Sequence, residues 1–139
     1  MTEILRFLAA HFGCLFAPEE DGPGRYKLVD SETVSSFGNA YVVVASDRLR
    51  LRFVRDRSQL FLEFQPSTEE ADDSWYSTDV IYRLLTGERQ DSAELTESYA
   101  RFVCENLDEI EGRFAPNRRL ETIERLKDLE RRRAKELFG

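Results

Sequence analysis

The segment RLRLRFVRDRSQLFLEFQPS, residues 48–67, alternates polar and apolar side chains on both sides of a short polar stretch. A period of two is typical of β-strands that bury one face. Leu49, Leu51 and Phe53 would lie on that buried face. The segment therefore predicts an antiparallel hairpin, and the rest of the chain has to cover its apolar side.

The turns around this hairpin predict its register. Ser46-Asp47 suits a two-residue turn after a strand at 40–45, and residues 55–58 suit a four-residue turn before a strand at 59–65. These turn lengths predict the following apolar pairs: Val44 with Leu49, Val42 with Leu51, Leu51 with Leu62, and Phe53 with Leu60.

The other face of the predicted sheet mixes guanidinium and aromatic groups. The expected cross-strand neighbours are Tyr41 and Phe61 for Arg52, Val43 and Glu63 for Arg50, and Gln65 for Arg48. Arginine binds carboxylates and phosphates and stacks on aromatic rings, so this face is a candidate recognition surface. The alternative is an exposed face whose arginines pair with nearby acidic residues.

Helical periodicity surrounds the strands. Apolar residues recur every three or four positions from Ile4 to Phe16, and the residues at 26–30 predict a further strand. Three helices are expected later, at 77–87, at 91–114 and from about Asn117 onwards. The pattern predicts an α+β fold: an N-terminal helix, an antiparallel meander of three or four strands, and three C-terminal helices packed on one face of the sheet.

Composition is that of one soluble globular domain, residues 1–139. The net charge is −7, but it is unevenly spread: residues 66–112 hold 3 basic and 13 acidic residues, and residues 113–139 hold 9 basic and 5 acidic residues. A general nucleic-acid binder needs a positive field, so nucleic acid is an unfavoured partner. No apolar run reaches the roughly 18 residues of a membrane span, and no membrane association is predicted.

The segment STEEADDSWYSTD, residues 67–79, is the most acidic part of the chain and contains the single tryptophan. Its spacing does not match a calcium-binding loop. It is either a solvated loop or an acidic docking surface for a basic protein, with an aromatic anchor. The candidate binding residues of this segment are Glu69, Glu70, Asp72, Asp73, Trp75 and Tyr76.

Nothing in the sequence indicates a reaction. It contains no nucleophile elbow, phosphate-binding loop or dinucleotide fingerprint, and His11 is its only histidine. We therefore predict no catalytic residues, no metal site and no cofactor. Cys14 and Cys104 are far apart and have no C-x-x-C spacing, which predicts two buried, reduced thiols. The N-terminal residues do not resemble a secretory signal, so we expect a cytoplasmic protein.

The segments FGNAYVVVASDRLRLRFVRDRSQLFLEFQPS and WYSTDVIYRLLTGE, within residues 37–88, resemble small bacterial proteins encoded beside toxin genes. Some of these resemble immunity proteins of polymorphic and contact-dependent toxin systems. The resemblance implies a non-catalytic binding protein that blocks one cognate toxin.

Two other functions remain open. The first is a small regulatory or nucleic-acid-associated domain that uses Tyr41, Arg50, Arg52 and Phe61 as a stacking platform. The second is an enzyme with an unrecognised carboxylate site near Trp75.

Overall fold

A computed structural model describes residues 1–16, 25–33, 39–68 and 73–138. It has the predicted α+β class, with helices before and after one antiparallel sheet of order β1-β2-β3-β4-β5. The fifth strand exceeds the predicted three or four. The elements in chain order are α1 (Thr2–His11), α2 (Gly13–Phe16), β1 (Lys27–Thr33), β2 (Ala40–Ala45), β3 (Leu49–Asp56), β4 (Gln59–Pro66), β5 (Tyr76–Ser77), α3 (Thr78–Thr86), α4 (Glu97–Glu105), α5 (Leu107–Arg113) and α6 (Arg119–Phe138).

The core lies between one face of the sheet and the helices. Helix α1 packs on β3 and α4, and α3 packs on β4 and α6. Leu49, Leu51 and Phe53 are buried, as their alternation predicts, and the Phe53 ring lies edge-on to Phe12 at 5.0 Å between centroids. Each fully buried side chain of this kind contributes about 1.5–3 kcal/mol. The opposite face of the sheet is left for contacts outside the core.

The predicted register is wrong by two residues in both hairpins. The observed pairs are Val42 with Phe53, Val44 with Leu51, Leu51 with Phe64, and Phe53 with Leu62. A shift by an even number of residues leaves each side chain on its predicted face, because the side-chain period is two. The assignment to core and outer faces is therefore correct although the cross-strand partners are not.

The two turns explain this shift. The β2–β3 turn has four residues instead of the predicted two, and the β3–β4 turn has two instead of the predicted four. Four residues separate the last β2–β3 pair, Ala45 with Arg50, whereas the β3–β4 hairpin closes at Asp56 and Gln59. The latter leaves a two-residue turn with φ of 51° at Arg57 and 73° at Ser58. Positive φ at both central residues is the geometry that matches the twist of a tight hairpin. Neither residue type predicts that geometry.

The second C-terminal helix also differs from its prediction. Residues 91–114 form two helices, α4 and α5, so that four helices follow the sheet instead of three. Helix α4 begins at Glu97, after Asp91 and Glu94. Thr96 is the N-cap and accepts a hydrogen bond from the backbone N–H of Tyr99 at 3.2 Å. The residues before it extend the sheet, because Glu94 bridges to Phe61.

Cys14 and Cys104 form a disulfide, so the prediction of two reduced thiols is wrong. Their Cα atoms are 5.8 Å apart, and 90 positions separate them in sequence. The bond joins α2 to α4. Sequence spacing could not reveal this pairing, because only packing of the N-terminal helices against α4 brings the two residues together.

Candidate protein-binding surface

The outer face of β3 and β4 carries the charged side chains that alternate with the core. Arg50 and Arg52 project from β3 and are half-buried, and Arg48 is exposed just before the strand. Glu63 lies directly opposite Arg52 on β4. We call the surface formed by Arg48, Arg50, Arg52, Glu63 and Trp75 the arginine–tryptophan face.

Trp75 completes this surface. The guanidinium carbon of Arg52 lies 4.4 Å from the centre of its ring, and that of Arg50 lies 5.7 Å away. Both distances are within the range of cation–π attraction. Trp75 is held there because the next residues, Tyr76 and Ser77, form β5 and pair with β4. The arginines and the tryptophan, which the sequence presents as separate candidates, therefore belong to one surface.

Polar contacts hold the two arginines in place. Arg52 donates to Glu63 Oε1 from Nη2 at 2.8 Å and from Nε at 2.9 Å. Arg50 donates to Gln65 Oε1 at 3.3 Å, and the buried Gln65 donates to the carbonyl of Ser74 at 3.2 Å. The side chains of Arg52 and Glu63 remain 30% and 27% exposed, so their ion pair is worth at most about 1 kcal/mol. These contacts orient the face more than they stabilise the fold.

The predicted stack of Tyr41, Arg52 and Phe61 is wrong. Because of the register shift, Tyr41 and Phe61 both lie opposite Val54, and Arg52 lies opposite Val43 and Glu63. Arg50 correspondingly lies opposite Ala45 and Gln65, so Arg48 does not face Gln65.

Tyr41 instead belongs to an acidic corner of the sheet. Its hydroxyl donates to Asp30 Oδ2 at 3.1 Å and to Glu32 Oε2 at 3.3 Å. Lost hydration, together with these carboxylates, raises the pKa of the Tyr41 phenol. The Tyr41 hydroxyl is thus hydrogen-bonded to two carboxylates, which would repel an anionic ligand such as a nucleic acid.

The structure describes only some of the candidate residues of the acidic segment. Asp73 is exposed, whereas Glu69, Glu70 and Asp72 lie outside the described residues. Tyr76 has only 1% of its surface exposed and is part of the core, so it cannot anchor a partner. Trp75 is the aromatic residue of this segment that remains available at the surface.

The other arginines of the opening segment have structural partners elsewhere. Arg55 Nε donates to Glu3 Oε2 at 2.9 Å and joins β3 to α1. Arg57 occupies the tight turn, where its backbone N–H donates to Asn39. The cluster of five arginines therefore divides into three on the outer face, one contact to a helix and one turn residue.

Two acidic residues are buried, which the sequence pattern did not predict. Asp79 is 7% exposed and accepts hydrogen bonds from Arg133 on α6, at 3.1 Å for the closer oxygen, and from the hydroxyl of Ser77. Glu111 on α5 is 5% exposed and pairs with Arg25. Each pair joins segments that are distant in the sequence. Because the carboxylate is buried, loss of its arginine would leave an uncompensated charge in the interior and lower the stability of the fold.

Open grooves flank α6. One, of about 380 Å³, lies between α3 and α6; the other, of about 320 Å³, lies beside Asp79 and Phe138. In the described part of the chain, no group of three or more metal-ligating side chains comes together, and no helix is long and apolar enough to cross a membrane. The candidate site is the arginine–tryptophan face, because there two arginines contact the ring of a half-buried tryptophan.

Two buried phenols make the stability of the protein sensitive to high pH. Burial, with the charges of Asp47 and Asp108, raises the pKa of Tyr26 to about 12, and burial with the charge of Asp79 raises that of Tyr99 to about 12. In the unfolded chain these phenols ionise near pH 10. Their stabilising effect is therefore complete below pH 10 and is lost as the pH rises from 10 to 12.

We expect the free energy of unfolding to fall across that interval. Urea unfolding at several pH values would measure the fall, and near-ultraviolet absorbance would follow the phenols. The Tyr26→Phe variant should lose less stability between pH 10 and 12 than the wild type, because it has one raised pKa fewer. An equal loss would contradict the assignment to Tyr26.

Comparison with known proteins gives no match to this chain among protein-family models, curated proteins or solved structures.

Proposed function

We propose that this protein is a non-catalytic binding protein that inhibits a cognate toxin in the manner of an immunity protein. The observation that carries the proposal is the contact of Trp75 with Arg50 and Arg52, which unites the two candidate surfaces. Tryptophan and arginine are the residue types most enriched at the centres of protein interfaces. A half-buried indole held by two guanidinium groups loses little side-chain freedom when a partner covers it.

The negative charge of the segment before Trp75 favours a basic partner. The segment that leads to Trp75 contains Glu69, Glu70, Asp72 and Asp73 in sequence, and Asp73 is exposed. Acidic groups beside an aromatic anchor would speed association with a basic surface and select it over neutral ones. Arg48, which is exposed, would meet a carboxylate of the same partner.

The binding test uses tagged wild-type protein and two variants in lysate of the native cell, with half of each sample treated with nuclease. The captured partner is identified by mass spectrometry, purified and titrated. We expect Trp75→Ala to weaken its binding by about 30-fold or more, because the variant removes the central anchor. Arg101→Glu, at an exposed position on α4, is the matched surface control and should bind as the wild type does.

A positive result also requires that the purified partner be toxic and that this protein suppress its toxicity. Unchanged affinity of Trp75→Ala, in a variant whose circular dichroism and thermal melt match the wild type, would contradict the proposed surface. If the partner is still captured after nuclease treatment but has no toxic activity, the result would contradict the inhibitor function without contradicting the proposed binding surface.

A nucleic-acid platform is the alternative function. The geometry supports it less, because Tyr41 is bonded to two carboxylates and is separated from Arg52 by the observed register. Partners that disappear on nuclease treatment, with salt-dependent retention on single-stranded RNA or DNA, would favour it.

The proposed site of action is the cytoplasm. Disulfides are rare in reducing compartments, so the Cys14–Cys104 bond provides a direct test of this location. If the protein acts in the cytoplasm, the reducing environment should keep this bond open in cells although the folded chain can form it, so rapid alkylation of intact cells, followed by mass spectrometry, should trap both cysteines as free thiols. A fully bonded pair in cells would contradict a cytoplasmic location and indicate an oxidising compartment.

A further inference from the structure

Among the residues that the structure describes, strand β1 forms an open edge of the sheet. At the opposite edge, β4 is covered by β5 and by residues 94–95, where the Leu95 N–H donates to the Leu60 carbonyl at 2.7 Å. On the β1 side, the described residues provide a partner on β2 alone. All seven residues of β1 are exposed, including Leu28 at 64% and Val29 at 53%. An edge of this kind has unpaired backbone groups that can accept another strand.

The side chains of β1 restrict which strand can be accepted. Register with β2 places Leu28, Ser31 and Thr33 on the core side and Lys27, Asp30 and Glu32 on the outer side, with a bulge at Val29. A charged edge with a bulge resists indiscriminate pairing. A partner strand must therefore match both the side-chain faces and the charges.

We propose that β1 pairs antiparallel with β1 of a second copy of this chain, about a two-fold axis. In an antiparallel pair, residues opposite each other must lie on the same face of the sheet. Placing Leu28 opposite Ser31 satisfies this condition, and the same register places Lys27 opposite Glu32, both on the outer side. This register therefore matches the faces of both residue pairs and also brings the opposite charges of Lys27 and Glu32 together.

Two-fold symmetry strengthens this match. Each copy contributes one Lys27 and one Glu32, so the complementary pair forms twice in a closed interface. Opposite charges directly across an antiparallel pair are favourable, and like charges are unfavourable. The pairing would join both sheets into one and would cover part of the exposed apolar surface of Leu28 and Val29. It leaves the arginine–tryptophan face free, because that face lies on β3, β4 and the residue before β5.

Charge exchange tests the proposal on the intact chain. Sedimentation equilibrium over a wide range of protein concentration measures the dimer dissociation constant for the wild type, Lys27→Glu, Glu32→Lys and the double variant. We expect a reversible wild-type dimer, about tenfold or more weaker dimerisation in each single variant, and recovery in the double variant. Lys135→Glu and Glu105→Lys, at exposed helical positions, are matched controls for net charge and should dimerise as the wild type does.

Three results would overturn the proposal. The first is a wild-type protein that is monomeric at every concentration, even if another protein binds the edge. The second is a dimer that the single variants do not weaken. The third is a double variant that stays as weak as the single variants. Since all four substituted positions are exposed, retained thermal melts will show that the variants are folded, and the measured constants then decide the question.

Discussion

Replacing both cysteines, Cys14→Ser with Cys104→Ser, is expected to lower the free energy of unfolding by about 4 kcal/mol. The disulfide closes a loop of 90 residues, and in the chain-entropy description a loop of that length restricts the unfolded chain by about 4 to 5 kcal/mol. A domain of this size has roughly 5–15 kcal/mol of stability in total. The variant should therefore fold but unfold at a much lower urea concentration.

Urea denaturation of the double variant and of oxidised wild type would measure this difference. The slope of the transition should be steeper for the variant, because its unfolded chain is more expanded. Wild-type protein in the presence of a reductant is the control and should match the double variant. A loss below about 1 kcal/mol would show that the cross-link contributes little beyond the packing already present.

The second large effect concerns the buried pair of Arg25 and Glu111. We expect Arg25→Ala to lower the free energy of unfolding by about 3–5 kcal/mol, because it leaves a buried carboxylate without its counter-charge. Glu111 has a 6% exposed side chain, and Arg25, which also bonds Asp108 at 3.2 Å, has a 25% exposed side chain. The guanidinium joins the segment before β1 to α5, so the loss should appear in global unfolding.

Two further variants identify the cause. In the combination Arg25→Met with Glu111→Leu, both charges are replaced by apolar groups of similar size, and most of the stability should return. Arg101→Ala removes an arginine whose pair with Glu97 is largely exposed on α4, and it should cost at most about 0.5 kcal/mol. If Arg25→Ala costs no more than Arg101→Ala, the Glu111 carboxylate is not held by this contact.

The predicted and observed sheets show what a local pattern can determine. Alternation in β3 identified Leu49, Leu51 and Phe53 as core residues and Arg50 and Arg52 as outer residues, and the structure confirms both assignments. The cross-strand partners could not be predicted in the same way. They depend on turn geometry, and the positive φ values at residues 57–58 follow from the twist of the joined strands and not from local preference.

In the candidate site, too, the sequence identifies single residues but not the contacts between them. Arg50, Arg52 and Trp75 could each be selected from the sequence as unusual residues, but their contact could not be. It exists because β5 adds to the edge of β4 and holds the tryptophan over the outer face. Tyr76, the next residue along the chain, looks equally suited to be an anchor in the sequence, yet it points into the core and is buried.

By itself, the sequence determined the α+β class and the faces on which the residues of β2, β3 and β4 lie. Both depend on periodicity over a few neighbouring residues, and an even error in register does not disturb them. Only the tertiary structure decided the strand register, the Cys14–Cys104 bond, the Arg25–Glu111 pair and the position of Trp75 on Arg52. Each of these joins residues whose separation along the chain carries no signal, so their contact depends on how the whole domain packs.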